Sequence, residues 1–402
     1  MNYLILFSSV FVFLNDNNVL LYDSKSSKLL KYSDSNILAI FNSRISKGLN
    51  VFKVNEYSAH FSLFDDITNN NMGWVASNTK KIPFQIAPIV SINHTVFNEE
   101  GSPISKTLSE SNWNITKLNI HLDGNIQWLS NPLHPIKQTI FCDAESEISD
   151  RIDAQLLMNK LEYINKLIYL QEVNIICNRP DLYSEYNHLI DFLYSSLRKQ
   201  VKLYLVIDAI FLDSHAPYFK KLLYAYENVF IKAIIPPQKT TALHHENLFK
   251  KFAENRCRFI KMVYSEIDLY SDSNYQYVPV YNGDNLDFFE KNVFLNKNDI
   301  CNQTLTMQDI FRRETLNEFY FGNLTILFNG YVYNNINRDC IGNLFQHSLH
   351  QLLLLISNNN SWFLTRNKIN PCNKCIYCFL CPPISNYEFA FNRFNLCKCH
   401  VQ

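Results

Sequence analysis

Glycine is scarce in this 402-residue chain, which has eight, none of them between Gly124 and Gly283. Loops that bind nucleotides depend on glycine, because only glycine lets the backbone come close to a phosphate. The middle of the chain is therefore a poor candidate for binding ATP, NAD or a similar cofactor. An excess of charge is also absent, since 37 basic and 37 acidic residues give a formal net charge of zero. No general attraction to nucleic acid or to an anionic membrane is expected.

Long apolar runs are missing too. No stretch reaches the about 18 residues that a membrane-spanning helix needs, so no such helix is predicted. The N-terminal MNYLILFSSVFVFL is apolar like a signal peptide, but it has no basic start and no small-residue cleavage site, and apolar residues resume at Val19. We interpret it as one arm of a β-hairpin and expect a cytoplasmic protein. In that compartment clustered cysteines are kept reduced or bind metal.

The first 64 residues are predicted to form a small, strand-rich α+β module of winged-helix-like size. Its predicted elements are strands at 3–14, 18–23 and 27–32 and a helix at 35–47. Two interpretations stay open for residues 1–64. They could recognise a peptide by adding it as a strand to a sheet edge, or they could form an ordinary capping subdomain.

Residues 83–282 alternate short apolar runs with helical periodicity, which predicts right-handed crossovers and a mostly parallel sheet. The expected fold class is α/β, with an open, partial (β/α) barrel. The predicted strands are 84–93, 118–122, 138–142, 173–177, 202–208, 230–235, 259–264 and 275–281, and the predicted helices are 147–170, 182–199, 215–228 and 242–255.

After Gly283 the sequence predicts an irregular chain as far as residue 323. Asn329-Gly330 then stands between two β-rich runs, which is a strong signal for a hairpin. A helix at 345–356 is expected to follow.

Six of the eleven cysteines lie in residues 372–399, the cysteine segment. Thiolates at such short spacing suggest a metal site more than a hydrophobic core. A first set of four forms C-x2-C-x5-C followed by a later cysteine: Cys372, Cys375, Cys381 and Cys397. Four thiolates suffice for one [4Fe-4S] cluster or one tetrahedral zinc ion, and the spacing does not distinguish the two.

The segment has two more cysteines than a four-ligand site needs, Cys378 and Cys399, and each could replace one of the four as a ligand. Reduced cysteines without metal are the third interpretation. No catalytic residue is predicted. Asp208 ends a predicted strand, where barrel enzymes place catalytic groups, but no base or second carboxylate is assigned near it.

The chain from Phe321 to Cys399 resembles the SPASM domains of radical-SAM peptide maturases, which carry auxiliary iron–sulfur clusters. The matching motifs are FGNLTILFNGYVYNN, IGNL, Trp362 with Arg366, PCNKCIYCFLCPPISNYE and NLC. Their combination is most similar to the pseudo-radical-SAM proteins of the GG-Bacteroidales ribosomal peptide systems. The resemblance implies a degenerate barrel of radical-SAM type at 83–300 and a SPASM-like iron–sulfur domain at 301–402.

The departures from catalytic members of that family concern their cluster ligands. Radical-SAM enzymes carry C-x3-C-x2-C after the first barrel strand, which we assign to 138–142. Here Cys142 is followed by Ser146 and Ser149, and one thiolate cannot hold that cluster. No cleavage of S-adenosylmethionine is therefore expected.

A second cluster of SPASM domains, the outer one, is expected to be missing as well. The resemblance places two of its ligands at Asn335 and Ser385, which are not cysteines. It thus implies one [4Fe-4S] cluster, bound by the first set of four cysteines. The function implied is a non-catalytic accessory protein that binds a ribosomal precursor peptide, a radical-SAM maturase, or both. An electron-transfer subunit and a zinc-stabilised scaffold are the alternatives.

Overall fold

The computed structural model describes residues 2–45, 49–54, 61–77, 83–85, 87–88, 115–123, 153–183, 185–236, 248–252, 256–266, 274–356 and 361–399. Their secondary structure is mixed α/β. No helix among these residues is long and apolar enough to cross a membrane.

Residues 2–77, the N-terminal module, contain two three-stranded antiparallel sheets. One has its strands in the order Val51–Val54, Asn2–Leu6 and Gly73–Ala76, and the other in the order Val10–Leu14, Val19–Asp23 and Leu29–Tyr32. The predicted strand at 3–14 is two strands in different sheets, because the chain turns at residues 7–9. The predicted helix at 35–47 is present as far as residue 45, and the carboxylate of Asp34 accepts from the backbone N–H of Asn36 at 2.7 Å. The elements are β1 (Asn2–Leu6), β2 (Val10–Leu14), β3 (Val19–Asp23), β4 (Leu29–Tyr32), α1 (Ser35–Ile45), β5 (Val51–Val54), α2 (Phe61–Asn69) and β6 (Gly73–Ala76).

The next part of the chain alternates strands with helices, as its sequence predicts. The strand predicted at 84–93 is an exception, because its described residues, 84, 85, 87 and 88, are not in a strand. The helix expected at 215–228 is present as Ala216–Ala225, and an additional short helix, Ala209–Ser214, precedes it. The helix expected at 147–170 is broken after residue 160, and the strand at 138–142 lies outside the described residues. The elements are β7 (Lys117–His121), α3 (Ala154–Lys160), β8 (Glu172–Ile176), α4 (Tyr186–Ser196), β9 (Lys202–Asp208), α5 (Ala209–Ser214), α6 (Ala216–Ala225), β10 (Val229–Ile235), β11 (Cys257–Val263) and β12 (Tyr275–Pro279).

The C-terminal part contains three helices where the sequence predicts an irregular chain, so that prediction is wrong. Two of the helices begin with a capping box, in which a side chain and a backbone N–H at the first turn bond reciprocally: Asn296 with Asp299, and Thr306 with Asp309. The elements are α7 (Leu286–Asn292), α8 (Lys297–Cys301), α9 (Met307–Thr315), β13 (Asn323–Ile326), β14 (Tyr331–Tyr333), β15 (Gly342–Asn343), α10 (Leu349–Ile356) and α11 (Asn386–Ala390).

The main sheet has nine strands in the order β12-β11-β10-β9-β8-β7-β13-β14-β15. The strands from β12 to β13 are parallel to their neighbours, and β14 and β15 are antiparallel. The expected mostly parallel sheet is therefore present, and in the described residues it is open. Gly330 has a φ of +77°, which suits the predicted hairpin between β13 and β14.

Strand β7 lies between β8 and β13 in this sheet. Lys117–His121 therefore occupies the place beside β8, whereas the segment 138–142, assigned above as the first barrel strand, lies outside the described residues. The alternation of side chains along each strand gives the sheet two different faces. One face packs against the helices through residues such as Val173 and Ile175, whereas the other carries Glu172 and Asn174.

The N-terminal module packs directly against the cysteine segment and the helices before it. Phe13 lies 5.4 Å from Phe379 between ring centroids, and both belong to one apolar cluster with the buried Ile376 and Leu380. Asn15 Nδ2 donates to the backbone oxygen of Lys374 at 3.4 Å. The cysteine segment is therefore in direct contact with the N-terminal module.

The hydroxyl of Tyr22 is a polar link in this contact, and its removal is expected to cost about 1–3 kcal/mol of unfolding free energy. It accepts from the backbone N–H of Leu305 at 2.7 Å, and the side chain is 1% exposed. Tyr22→Phe leaves that N–H without its acceptor. Urea unfolding of Tyr22→Phe should show the loss, while Tyr331→Phe, which removes a hydroxyl from an exposed side chain, should unfold like wild type. Equal midpoints for the two variants would contradict the prediction.

Candidate metal site

The cysteine segment begins as a series of tight turns. The backbone N–H of Cys375 donates to the oxygen of Cys372 at 2.9 Å, and that of Cys378 donates to the oxygen of Cys375 at 3.1 Å. Pro371 precedes the first turn and two prolines follow Cys381, so a regular helix does not form over this stretch. Turns of three residues return successive cysteines to the same side of the chain.

The thiols of the segment surround one small cavity of about 10 Å³, roughly the space of one water molecule. Cys397 reaches it because the chain there forms a bridge to Leu295, just before α8. Leu295, Leu396 and Arg366 complete the wall. The structure thus brings together the four cysteines predicted as ligands and the two predicted substitutes: Cys372, Cys375, Cys381 and Cys397, with Cys378 and Cys399.

The donor atoms around this cavity fit zinc or iron, since both metals bind thiolate sulfur. Among the described residues, however, no group of three histidine, cysteine, aspartate or glutamate side chains stands ready to hold one ion. The thiols therefore surround a space without forming a finished coordination sphere. Metal binding needs these side chains to turn toward the centre of the cavity.

Burial favours the neutral form of five of the six thiols around the cavity. It raises the pKa of Cys378 and of Cys399 to about 12, and it raises the pKa of Cys372, Cys375 and Cys381 as well. The thiolate is the form that ligates a metal, so binding must release protons. Metal affinity at this cavity should therefore increase with pH.

Arg366 is the charged side chain in the wall of the cavity, and it is 9% exposed. Its Nη1 lies 3.6 Å from the sulfur of Cys372 and donates to Glu388 Oε1 at 2.9 Å. Glu388 is 1% exposed, and its other oxygen accepts from the backbone N–H of Ser385 at 2.8 Å. A buried ion pair thus connects the sulfur of Cys372 with the start of α11.

The positions that the resemblance gives to the outer cluster are close together and carry amides. Asn335 Nδ2 donates to Asn386 Oδ1 at 3.0 Å, and Asn386 follows Ser385 directly. Asn337 donates to the same oxygen at 3.3 Å. Ser385 itself caps α11 in a capping box with Glu388. Hydrogen bonds between neutral side chains connect the segment that follows β14 with α11 at this place.

The remaining sequence candidates do not join the cavity. Asp208 ends β9 and caps α5, where its carboxylate accepts from the backbone N–H groups of Ile210 and Phe211 at 2.6 and 2.9 Å. Burial raises the pKa of Asp208, but its contacts are those of a helix cap. Cys142, Ser146 and Ser149 lie outside the described residues.

Two features of the site were missed by reasoning from the sequence. The Arg366–Glu388 pair joins residues 22 positions apart, a separation that no local pattern marks. Glu314 on α9 is a buried carboxyl, 8% exposed, near the cysteine segment. Its burial could have been inferred from helical periodicity, because Ile310 lies four residues earlier on the same helix face.

The fold and this cavity together define an α/β protein with a cysteine-lined candidate metal site. No protein-family model matches the chain, and no curated protein matches it in sequence.

Proposed function

We propose that this chain is a pseudo-radical-SAM accessory protein that binds one [4Fe-4S] cluster in a SPASM-like domain. Cys372, Cys375, Cys381 and Cys397 are the ligands in this proposal. The protein binds a ribosomal precursor peptide, the radical-SAM maturase that modifies it, or both, and it does not cleave S-adenosylmethionine. The observation that carries the proposal is the cavity lined by six cysteines at the end of a chain with an open, mostly parallel sheet.

Further support comes from the elements around the cavity. The hairpin of β13 and β14 extends the parallel sheet, so the C-terminal region continues the β/α part without a break in the sheet. Seven neighbouring parallel strands support the barrel interpretation. The hydrogen bond between the amides of Asn335 and Asn386 supports the loss of the outer cluster. When bound, the cluster supplies electron transfer or a rigid cross-link between Cys372 and Cys397.

A zinc-stabilised scaffold is the second candidate. The small volume of the cavity, about 10 Å³, favours it, because one ion needs less room than a four-iron cluster. Tetrahedral binding by four thiolates is the usual form of a structural zinc site.

Metal analysis after anaerobic purification tests the proposal. We expect about four iron atoms per chain in the wild type and loss of most of that iron in Cys372→Ala. Cys340→Ala, which removes an exposed cysteine away from the cavity, should keep the full iron content. A colourless protein with one zinc ion per chain would contradict the [4Fe-4S] cluster and support the zinc-stabilised scaffold. Formation of 5′-deoxyadenosine by the isolated protein would overturn the non-catalytic assignment.

A further inference from the structure

The side chain of Arg366 contacts several separate segments of the candidate site. Its Nη1 contacts the sulfur of Cys372, its Nε donates to the backbone oxygen of Pro382, and its Nη2 donates to that of Pro383 at 3.3 Å. Nη1 also lies 3.5 Å from the oxygen of Phe394. These segments carry Cys372, the residues directly after Cys381, and the approach to Cys397.

We propose that Arg366 is the positioning residue of the metal site, holding the ligand-bearing segments together and donating a hydrogen bond to the sulfur of Cys372. The inference rests on the proposed function, since it assumes that these cysteines bind a metal. A guanidinium suits the task because its five N–H donors lie in one plane at fixed angles, whereas lysine offers a single point charge. Outer-shell partners of this kind orient metal ligands and commonly change metal affinity by about 10–100-fold.

The electrostatic part of the role has a definite sign. A donor and positive charge at 3.6 Å stabilise the negative charge that Cys372 carries as a thiolate. Glu388 holds the guanidinium in place from the other side and opposes its charge. Removing Arg366 should therefore weaken metal binding, while neutralising Glu388 leaves an uncompensated positive charge beside the sulfur. In an iron–sulfur form the same change at Arg366 should lower the reduction potential, and the change at Glu388 should raise it.

The test is a Co²⁺ titration of the metal-free, reduced full chain, followed by the absorption of Co²⁺ bound to thiolate. We expect Arg366→Gln and Arg366→Lys to bind Co²⁺ about 10–100-fold more weakly than wild type. Glu388→Gln, which keeps the shape and the capping of α11, should bind Co²⁺ as tightly as wild type or more tightly. An equal loss of Co²⁺ affinity in all three variants would show that the ion pair only stabilises the fold, and it would overturn the proposal.

If Arg366→Gln does not fold, the double variant Arg366→Gln/Glu388→Gln takes its place in the titration, because it leaves no unpaired buried charge. Circular dichroism checks its fold, and its Co²⁺ affinity should be about 10–100-fold lower than that of wild type. Wild-type affinity in the double variant would overturn the role of Arg366 alone. A wild type that binds no Co²⁺ and also contains no iron after anaerobic purification would overturn the proposed function instead, so the two failures are distinguishable.

Discussion

Replacing Glu172 by glutamine is expected to lower the free energy of unfolding by about 3–5 kcal/mol. Glu172 lies on β8, and its carboxylate accepts from Lys232 Nζ at 2.8 Å. Lys232, on β10, is 7% exposed, and Asn174 Oδ1 is its other acceptor, also at 2.8 Å. Glutamine would leave the ammonium buried with neutral acceptors only, which is the costly way to break a buried ion pair.

Both partners are charged at neutral pH. Burial alone would raise the pKa of Glu172, but Lys117 and Lys232 outweigh it and lower the pKa to about 2. Burial lowers the pKa of Lys232 to about 8, although Glu172 opposes that shift. The ion pair therefore exists at pH 7. The ring of Tyr204 adds a further contact, with Nζ 3.9 Å from its centroid.

Urea unfolding at pH 7 measures the effect against two matched variants. Lys117→Met removes the more exposed partner of Glu172, at 3.3 Å and with 27% of its side chain exposed, and should cost less than about 1 kcal/mol. Glu172→Gln/Lys232→Met removes both charges of the pair and should recover most of the loss. If Glu172→Gln costs no more than Lys117→Met, the buried pair does not contribute as described.

The Glu172–Lys232 pair belongs to a row of polar side chains across the sheet. Asn174 Nδ2 donates to Asn119 Oδ1 at 2.9 Å, and Asn119 Nδ2 donates to Thr325 Oγ1 at 3.2 Å. The chain of bonds crosses from β8 through β7 to β13. These buried amides are satisfied by one another, which is the condition for polar groups inside a protein. The row therefore fixes the lateral register of the strands on the face opposite the helices.

The sequence predicted most strands of the main sheet, because short apolar runs between helical segments are typical of parallel strands. The strand predicted at 202–208 has those bounds in the structure. The polar face is also readable in the sequence, since KLNIH, and EVNII as far as Ile175, alternate polar with apolar residues at the two-residue period of a strand. What no periodicity could give is which polar residues meet, because that depends on strand order.

Helix boundaries were harder to predict. The segment at 147–170 has helical periodicity, yet its described part is α3 followed by a short 3-10 turn at Ile164–Lys166. Leu161 and Leu167 are buried on either side of that turn, so contact with the sheet is maintained without a continuous helix. Tertiary packing here overrides a local preference, which is weak for any single residue.

In the cysteine segment, by contrast, the local sequence predicted part of the site correctly. Local spacing alone predicted that its cysteines lie together, because turns of three residues leave little freedom in where the thiols go. Arg366 entered only as part of a motif with Trp362, with no role attached. Its contacts with Cys372 and Glu388 result from folding of the segment back on itself, and a linear pattern does not contain them.

The buried carboxyl of Glu314 is expected to make the stability of the protein fall as the pH rises from about 4.5 to about 8. Burial raises the pKa of Glu314 from 4.5 to about 8, and its Oε2 has no hydrogen-bond partner among the described residues. The unfolded chain loses this proton near its ordinary pKa, whereas the folded chain keeps it until about pH 8. The native state therefore has its full stability below pH 4.5 and loses about 4–5 kcal/mol by pH 8, at about 1.4 kcal/mol per pKa unit.

Glu314→Gln isolates this contribution, because glutamine has a similar shape and does not titrate. At pH 5 the variant should unfold at nearly the same urea concentration as wild type, since Glu314 is then protonated and uncharged in the native state. At pH 8.5 the variant should be more stable by about 3–5 kcal/mol. Asp287→Asn, which removes an exposed carboxylate from α7, is the control: it measures how much the loss of any one carboxylate changes the dependence of stability on pH. Parallel profiles for Glu314→Gln and wild type would show that the carboxyl of Glu314 reaches water, and the α9 helix would then not bury it against the cysteine segment.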